Sequence, residues 1–193
     1  IVGLIVGQLT ARFRYQARIA RAREERARFL YEMARELSGA LVAEQVLEIG
    51  ERYVEGSFRV KAQLLMPDDH DRLQPPPARS GKPEADLAIA QWCFDHNDPA
   101  GLGTDTLPAA SLLYLPLKAP LRTRGVLAVA PEQRRLLMIP EQRRLLDTFA
   151  ALIAIALERV HFAVVARDTL VKMEAELRDT LASARARQSA PAA

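Results

Sequence analysis

Apolar positions along this chain switch between helical spacing and strand-like alternation, and the switches mark out its elements. Between Thr10 and about Ser38 there is neither Pro nor Gly, and Ala, Arg, Glu and Leu dominate, which predicts one continuous helix. Leu30, Met33 and Leu37 fall three and four apart with Phe29 beside them, whereas residues 12–28 offer only Phe13, Tyr15 and Ile19 as large apolar groups. The first part therefore reads as a solvated stalk and the second as a docking face, ended by Ser38-Gly39. Val46, Leu47, Ile49, Tyr53 and Val54 predict a second amphipathic helix from Ala43 to about Glu55, which Gly56 can stop.

Strand signals follow. Phe58 to Leu64 alternates apolar and polar, runs into Leu65-Met66, turns at Pro67-Asp-Asp-His-Asp and returns over Arg72–Gln74, a hairpin. Residues 75–83 are a Pro-rich surface loop, and Glu84 to Phe94 is a short, heavily apolar helix carrying Leu87, Ile89, Ala90, Trp92, Cys93 and Phe94. The polar stretch 95–108 is too long for a simple turn and has the character of a loop that lines a site. Strands are expected over Leu112–Lys118 and Gly125–Ala130, with 119–124 as the reversal. Pro140 and Glu141 open a helix running toward Arg187. Its first half has the density of a core (Leu145, Leu146, Phe149, Leu152, Ile153, Ile155, Ala156, Val160). Its second half thins to Leu170, Met173, Leu177 and Leu181, spaced three, four and four as in a coiled-coil dimer seam. The fold class predicted by this order is α+β: an antiparallel sheet with helices packed on one face, a pocket under a loop on the other, and long N- and C-terminal helices overshooting the body.

Composition adds little to this until it is divided. At 193 residues, 49% hydrophobic and 26% charged, the chain is one domain with appendages and not a disordered segment. Its net charge of +3 hides a cluster, because residues 12–28 hold Arg12, Arg14, Arg18, Arg21, Arg23, Arg26 and Arg28 against Glu24 and Glu25, a local +5. Residues 1–9 (Ile-Val-Gly-Leu-Ile-Val-Gly-Gln-Leu) are apolar but too few to span a bilayer, so they are expected to end a transmembrane helix. Arginines directly after it are the positive-inside pattern, which points to contact with anionic membrane lipids or to sensing of ionic strength. A basic region ahead of a leucine seam also occurs in DNA-binding zippers, but the apolar lead-in and the large domain that follows favour lipid and no nucleic acid. The single Cys93 and three His offer no disulfide and no zinc spacing, which fits a reducing, cytoplasmic setting.

Within the polar loop and the helix before it, Trp92, Asp95, His96, Asp98, Thr104, Asp105 and Thr106 are candidates for a small-ligand or cation pocket, since hard cations take carboxylate and carbonyl oxygens. The competing reading makes Trp92 a core residue and the others helix caps and turn formers. Cys93 has no partner cysteine for redox catalysis and is expected as a buried thiol beside Trp92. Ser, His and Asp are too scattered for a triad, so no catalytic residue is assigned.

The stretch Leu30-Tyr-Glu-Met-Ala-Arg-Glu-Leu-Ser-Gly-Ala-Leu, the run from Asp86 through Trp92 to Pro108, the run Leu113-Tyr-Leu-Pro-Leu-Lys-Ala-Pro and Pro140-Glu-Gln-Arg-Arg-Leu-Leu-Asp-Thr-Phe-Ala together resemble the cytoplasmic GAF region of the KdpD-type sensor histidine kinases. The resemblance covers roughly residues 1–178. It implies residues 1–9 as the end of a transmembrane helix, 10–28 as an Arg-rich juxtamembrane helix, 29–164 as a GAF-like sensory domain and 165–193 as an output helix and tail. It further implies a potassium or osmotic-stress signal, a homodimer at the cytoplasmic face of a bacterial inner membrane, and ATP-dependent phosphotransfer to a response regulator by the parent protein. Potassium is the ligand it implies; ATP belongs to the parent kinase, and no other cofactor is expected. Residues 179–193 contain no His, so the phosphoacceptor box expected soon after Met173–Glu176 is not in this chain and the chain itself is not expected to be an enzyme. An autonomous GAF small-ligand module without kinase activity is the alternative.

Overall fold

A computed structural model of the chain describes residues 24, 26–74, 81–133 and 139–188, with side chains as far as Leu181. The apolar segment 1–9 and the cluster members Arg12, Arg14, Arg18, Arg21 and Arg23 lie outside the described residues. Helix α1 covers residues 26–39 and turns Met33 and Leu37 into the core, as their spacing requires. Helix α2, Ala43–Phe58, runs past Gly56 and ends at Arg59, which takes the left-handed conformation with φ 51°. The extra turn is held by Phe58, whose ring meets that of Phe149 edge-on at 5.3 Å.

Five strands follow: β1 Val60–Pro67, β2 Leu73–Gln74, β3 Ala100–Gly101, β4 Leu113–Lys118 and β5 Thr123–Pro131. They form one antiparallel sheet in the order β2-β1-β5-β4-β3. Strand β3, inside the polar loop, is too short for any periodicity to reveal. Gly101 allows it: at φ +88° a Cβ there would lie 2.2 Å from the Leu112 carbonyl oxygen.

Side-chain alternation divides the sheet into two faces. Ala62, Leu64, Leu113, Leu115, Leu117, Leu127 and Val129 pack against α1, α2 and the long helix α4, Pro140–Gln188. Leu65, Tyr114, Val126 and Ala128 pack on the other side against α3, Leu87–His96. Three helices thus gather on one face as expected, and α3 with its Cys93 and Phe94 fills the second. Asp86 caps α3 by accepting from the N–H groups of Ala88 and Ile89, and its own N–H donates to the buried Tyr114 hydroxyl at 2.8 Å.

On the three-helix face the directions are fixed by contacts at both ends. Arg26 and Phe29 of α1 share a crevice with Gln142 and Leu145, while the far end of α1 meets Arg159, so α1 and α4 run the same way. Helix α2 opposes them, with Phe58 against Phe149 and Val42 and Ala43 near Leu157 and Val160. At their crossing Gly50 lets α2 close on α4; a Cβ there would be 2.8 Å from Ile153 Cδ1.

The stretch of β1 that β2 does not cover is not left bare. The Ala62 N–H donates to Glu55 Oε1 at 2.9 Å and the Leu64 N–H to Glu51 Oε1 at 3.2 Å. The Lys82 ammonium donates to the Ala62 carbonyl and pairs with both carboxylates at 2.8 and 3.0 Å. Burial pulls the Lys82 pKa down, but the hydrogen bonds to Glu51 and Glu55 outweigh it and hold it above the ordinary lysine value.

Candidate functional site

Helix α4 leaves the body just after Val160: that side chain is buried, and every residue from His161 to Leu181 is exposed. At 1.5 Å per residue the helix is about 70 Å long, and less than half of it lies against the sheet. Three charged residues gather at the exit. Arg159 Nη2 donates to the carbonyls of Leu37 and Ala40 at 2.9 and 2.7 Å, joining the Ala40 N–H that already bonds the Leu37 carbonyl and tying the end of α1 to α4. Glu158 and Arg124 form a buried pair at 3.3 Å, with side chains 10% and 8% exposed. Glu158 also accepts from the N–H of Leu121 in the β4–β5 turn at 3.2 Å, and the Arg124 guanidinium lies 5.5 Å from the Phe162 ring centroid on the first projecting turn. The exit of α4 is therefore tied to α1 on one side and to the sheet's β4–β5 turn on the other.

Beside this junction lies a groove of about 540 Å³ between the start of α2, the β1–β2 turn, β5 and α4. It is lined by Glu44, Asp68, Asp69, Asp71, Arg122, Arg124 and His161 among others. Much of that charge is used internally. Asp68 accepts from the N–H groups of Arg72 and His70 and from Gln74, hydrogen bonds that hold its carboxyl below the ordinary aspartate value, and Asp71 pairs with Arg122. Among the described residues no group of three or more His, Cys, Asp or Glu is placed to hold a metal ion.

The residues singled out in the sequence around the polar loop fall into two groups. Trp92, Asp95 and His96 share one open depression with Arg72, Leu73 and Gln91. There His96 stacks on Trp92 at 4.2 Å and donates Nδ1–H to its carbonyl, while Asp95 accepts from Gln91. Asp98, Thr104, Asp105 and Thr106 do not line that depression. The Thr104 hydroxyl donates within its own turn, 2.7 Å from the carbonyls of Gly101 and Thr106, and Asp98 and Asp105 are exposed. The Thr104 hydroxyl is thus spent on the loop's own shape, and the structure does not converge all seven on one cavity.

Of the arginine cluster, Arg26 and Arg28 are described. Both are exposed, Arg28 pairing with Glu32 at 2.8 Å one turn on. The seam residues Leu170, Met173, Leu177 and Leu181 are 54–62% exposed on the projecting helix. Cys93 is buried, and desolvation pushes its thiol pKa up to about 12. At pH 8 its thiolate is then roughly a thousandfold scarcer than that of a free cysteine. Alkylation by iodoacetamide is expected to be at least a hundredfold slower in the folded protein than in urea, followed by mass spectrometry; equal rates would overturn the burial of this thiol.

Neither Arg159 nor the Arg124–Glu158 pair stands out in the sequence as a site. Glu158 alone carries a signal, a carboxylate one helical turn on from the buried Ala154.

Comparison with known proteins bears on what this arrangement is for. A profile of the GAF domain matches residues 30–159. The chain is 46% identical over 159 residues to the sensor protein KdpD of Escherichia coli (strain K12), covering 82% of this chain and 18% of that protein. It is 28% identical over 185 residues to the sensor protein KdpD of Clostridium acetobutylicum, covering 91% of this chain and 20% of that protein. The chain thus spans about a fifth of the length of these relatives. The crystal structure of the native GAF domain of the potassium sensor histidine kinase KdpD from Escherichia coli superposes with a TM-score of 0.69 at 44% identity, over 72% of this chain and 98% of that one. A methyl-accepting chemotaxis protein fragment, 15% identical with a TM-score of 0.52, over 68% of this chain and 98% of that one, shares the fold.

Proposed function

This chain belongs to the GAF domain family, and we propose that it is the sensory domain of a membrane-bound KdpD-type histidine kinase, passing a signal from α1 to α4. The similarity to the KdpD sensor proteins supports a sensory role in a sensor kinase. In this reading the Arg-rich segment contacts anionic lipid at the cytoplasmic face of a bacterial inner membrane, and the stimulus is potassium or osmotic stress. Phosphotransfer to a response regulator belongs to the kinase part of the full protein.

The observation that carries the relay is Arg159. Its guanidinium holds the end of α1 one residue before α4 loses contact with the body. A shift or rotation of α1 is then felt where α4 is about to project. The stimulus can bias two arrangements of this pair only by its differential affinity for them.

Arg159→Ala removes both charge-assisted hydrogen bonds, each of the kind that contributes about 1.5–3 kcal/mol. Amide exchange of residues 33–39 is expected to accelerate tenfold or more while the amides of β1 and β5 keep their protection. In the full kinase the same variant should hold autophosphorylation at one level across potassium concentrations. Unchanged exchange in α1, or a fully responsive kinase, would remove Arg159 from the relay.

The groove of about 540 Å³ beside the junction supports the second reading, an autonomous small-ligand module with no kinase partner. Calorimetric titration of the isolated chain with potassium against sodium separates specific ion binding from none, and equal or absent heats would count against potassium as the ligand of this domain.

A further inference from the structure

We infer that the groove beside the exit of α4 binds a small zwitterion, its carboxylate held by Arg124 and the start of α2 and its cationic amine by Asp69 and Glu44. The inference deepens the small-ligand reading, on which it rests for the groove itself, and it holds whether or not a kinase follows the chain. The groove lies on the three-helix side of the sheet, apart from the depression that Trp92 and His96 share beside α3.

Two sets of donors along this groove lack acceptors. Helix α2 begins in its wall, and the residue that should cap it, Val42, has no side-chain oxygen to offer. The Gln45 side chain reaches back to the Leu41 N–H, which leaves the N–H groups of Ala43, Glu44 and Gln45 without an acceptor among the described residues. Orphan donors at the positive end of a helix favour an anionic oxygen. The second set belongs to Arg124, whose side chain lines the groove and is 8% exposed. Its Nη2 meets Glu158 at 3.3 Å, and its Nε has no partner. A guanidinium carries five N–H donors in a fork that matches a carboxylate, so Glu158 leaves most of this one unused. Because Glu158 and the ligand would share one guanidinium, occupancy bears directly on the pair that closes the exit of α4.

The remaining charges exclude a simple anion. Glu44, Asp68, Asp69 and Asp71 outnumber Arg122 and Arg124 along the groove. Asp71 is paired with Arg122, and Asp68 is spent on the turn that it caps. Glu44 and Asp69 are exposed and have no ion-pair or hydrogen-bond partner among the described residues. A phosphate or a free carboxylate entering here meets their repulsion well inside a screening length of about 8 Å, whereas a molecule with a cationic far end turns it into attraction. Leu157, Val160 and Val164 supply an apolar wall for the carbon chain between the two charges, and about 540 Å³ suits a ligand of that size.

The whole chain, labelled with nitrogen-15, is titrated with 4-aminobutyrate and 6-aminohexanoate, and with hexanoate and hexylammonium as single-charge controls. Saturable shifts are expected for the amides of Ala43 and Glu44 and for the Arg124 Nε–H, with the better zwitterion bound about tenfold more tightly than either control. Ala43→Pro removes one orphan donor at the first helical position, where proline is tolerated. Val42, at φ −131° and ψ 155°, already has the extended backbone that proline requires of its neighbour. This variant should weaken binding about tenfold with its circular dichroism unchanged, and Asp69→Asn should weaken it similarly from the other end. Hexanoate bound as tightly as the zwitterions at the same amides, or Asp69→Asn without effect, would overturn the cationic half and leave the groove a small-ligand site. Shifts confined to α3 would overturn this site while keeping the small-ligand reading, and no shift with any probe would overturn both the site and the groove's support for that reading.

Discussion

Replacing Glu158 by alanine is expected to lower the stability of the chain by about 3–5 kcal/mol, the cost of leaving one partner of a buried ion pair without its counter-charge. The stranded group is Arg124, whose side chain is 8% exposed and whose Nε has no hydrogen-bond partner even with Glu158 in place. The guanidinium is left almost wholly buried at the wall of the groove, and the N–H of Leu121 loses its acceptor as well. Urea unfolding followed by circular dichroism measures the loss. The control is the double variant Arg124→Met with Glu158→Leu, which exchanges the pair for apolar groups of similar length and should recover most of the stability. A loss under 1 kcal/mol in the single variant, or a double variant no better than it, would show that the pair is not what closes the junction.

Leu177→Asp is expected to abolish association while leaving the body intact. In a parallel pair it places two carboxylates against each other at the seam and removes an apolar contact from both helices, a change worth several kcal/mol and so at least a hundredfold in the dimer dissociation constant. Leu177 is 61% exposed and touches nothing in the body, so the melting transition of the sheet and its three covering helices should not move beyond the effect of losing the dimer. Sedimentation equilibrium reads the first effect and near-ultraviolet circular dichroism the second. An unchanged dimer would take Leu177 out of the seam, and a monomeric parent would end the dimer altogether.

The body was readable because its apolar positions obey the periods of the elements they build. Leu30, Met33 and Leu37, Val46 and Val54, and the dense first half of α4 face the core, except Ile155, which the sequence pattern places there and the structure leaves 52% exposed; the runs Leu113–Leu117 and Gly125–Val129 are buried on both faces. What escaped the sequence depends on contacts between distant residues. Gly56 did not end α2, because the burial of Phe58 against Phe149 outweighed a glycine's preference for the helix end. Strand β3 exists only through its pairing with Leu113 and Tyr114. Arg159 is an ordinary exposed helix position until α1 brings two carbonyls to it. The polar loop is chemically rich, which gives it the character of a site lining; in the fold the Thr104 hydroxyl turns onto its own loop, while Trp92, Asp95 and His96 share one depression.

The capped margin of β1 bears on how copies of the molecule can assemble. An unprotected strand is a template on which another chain can add by main-chain pairing, and such growth has no natural end. Here Glu51, Glu55 and Lys82 already occupy the groups at Ala62 and Leu64 that an incoming strand would need. Growth of a continuous sheet from copy to copy is therefore blocked at these positions of β1, and any such pairing would first have to displace three charged side chains.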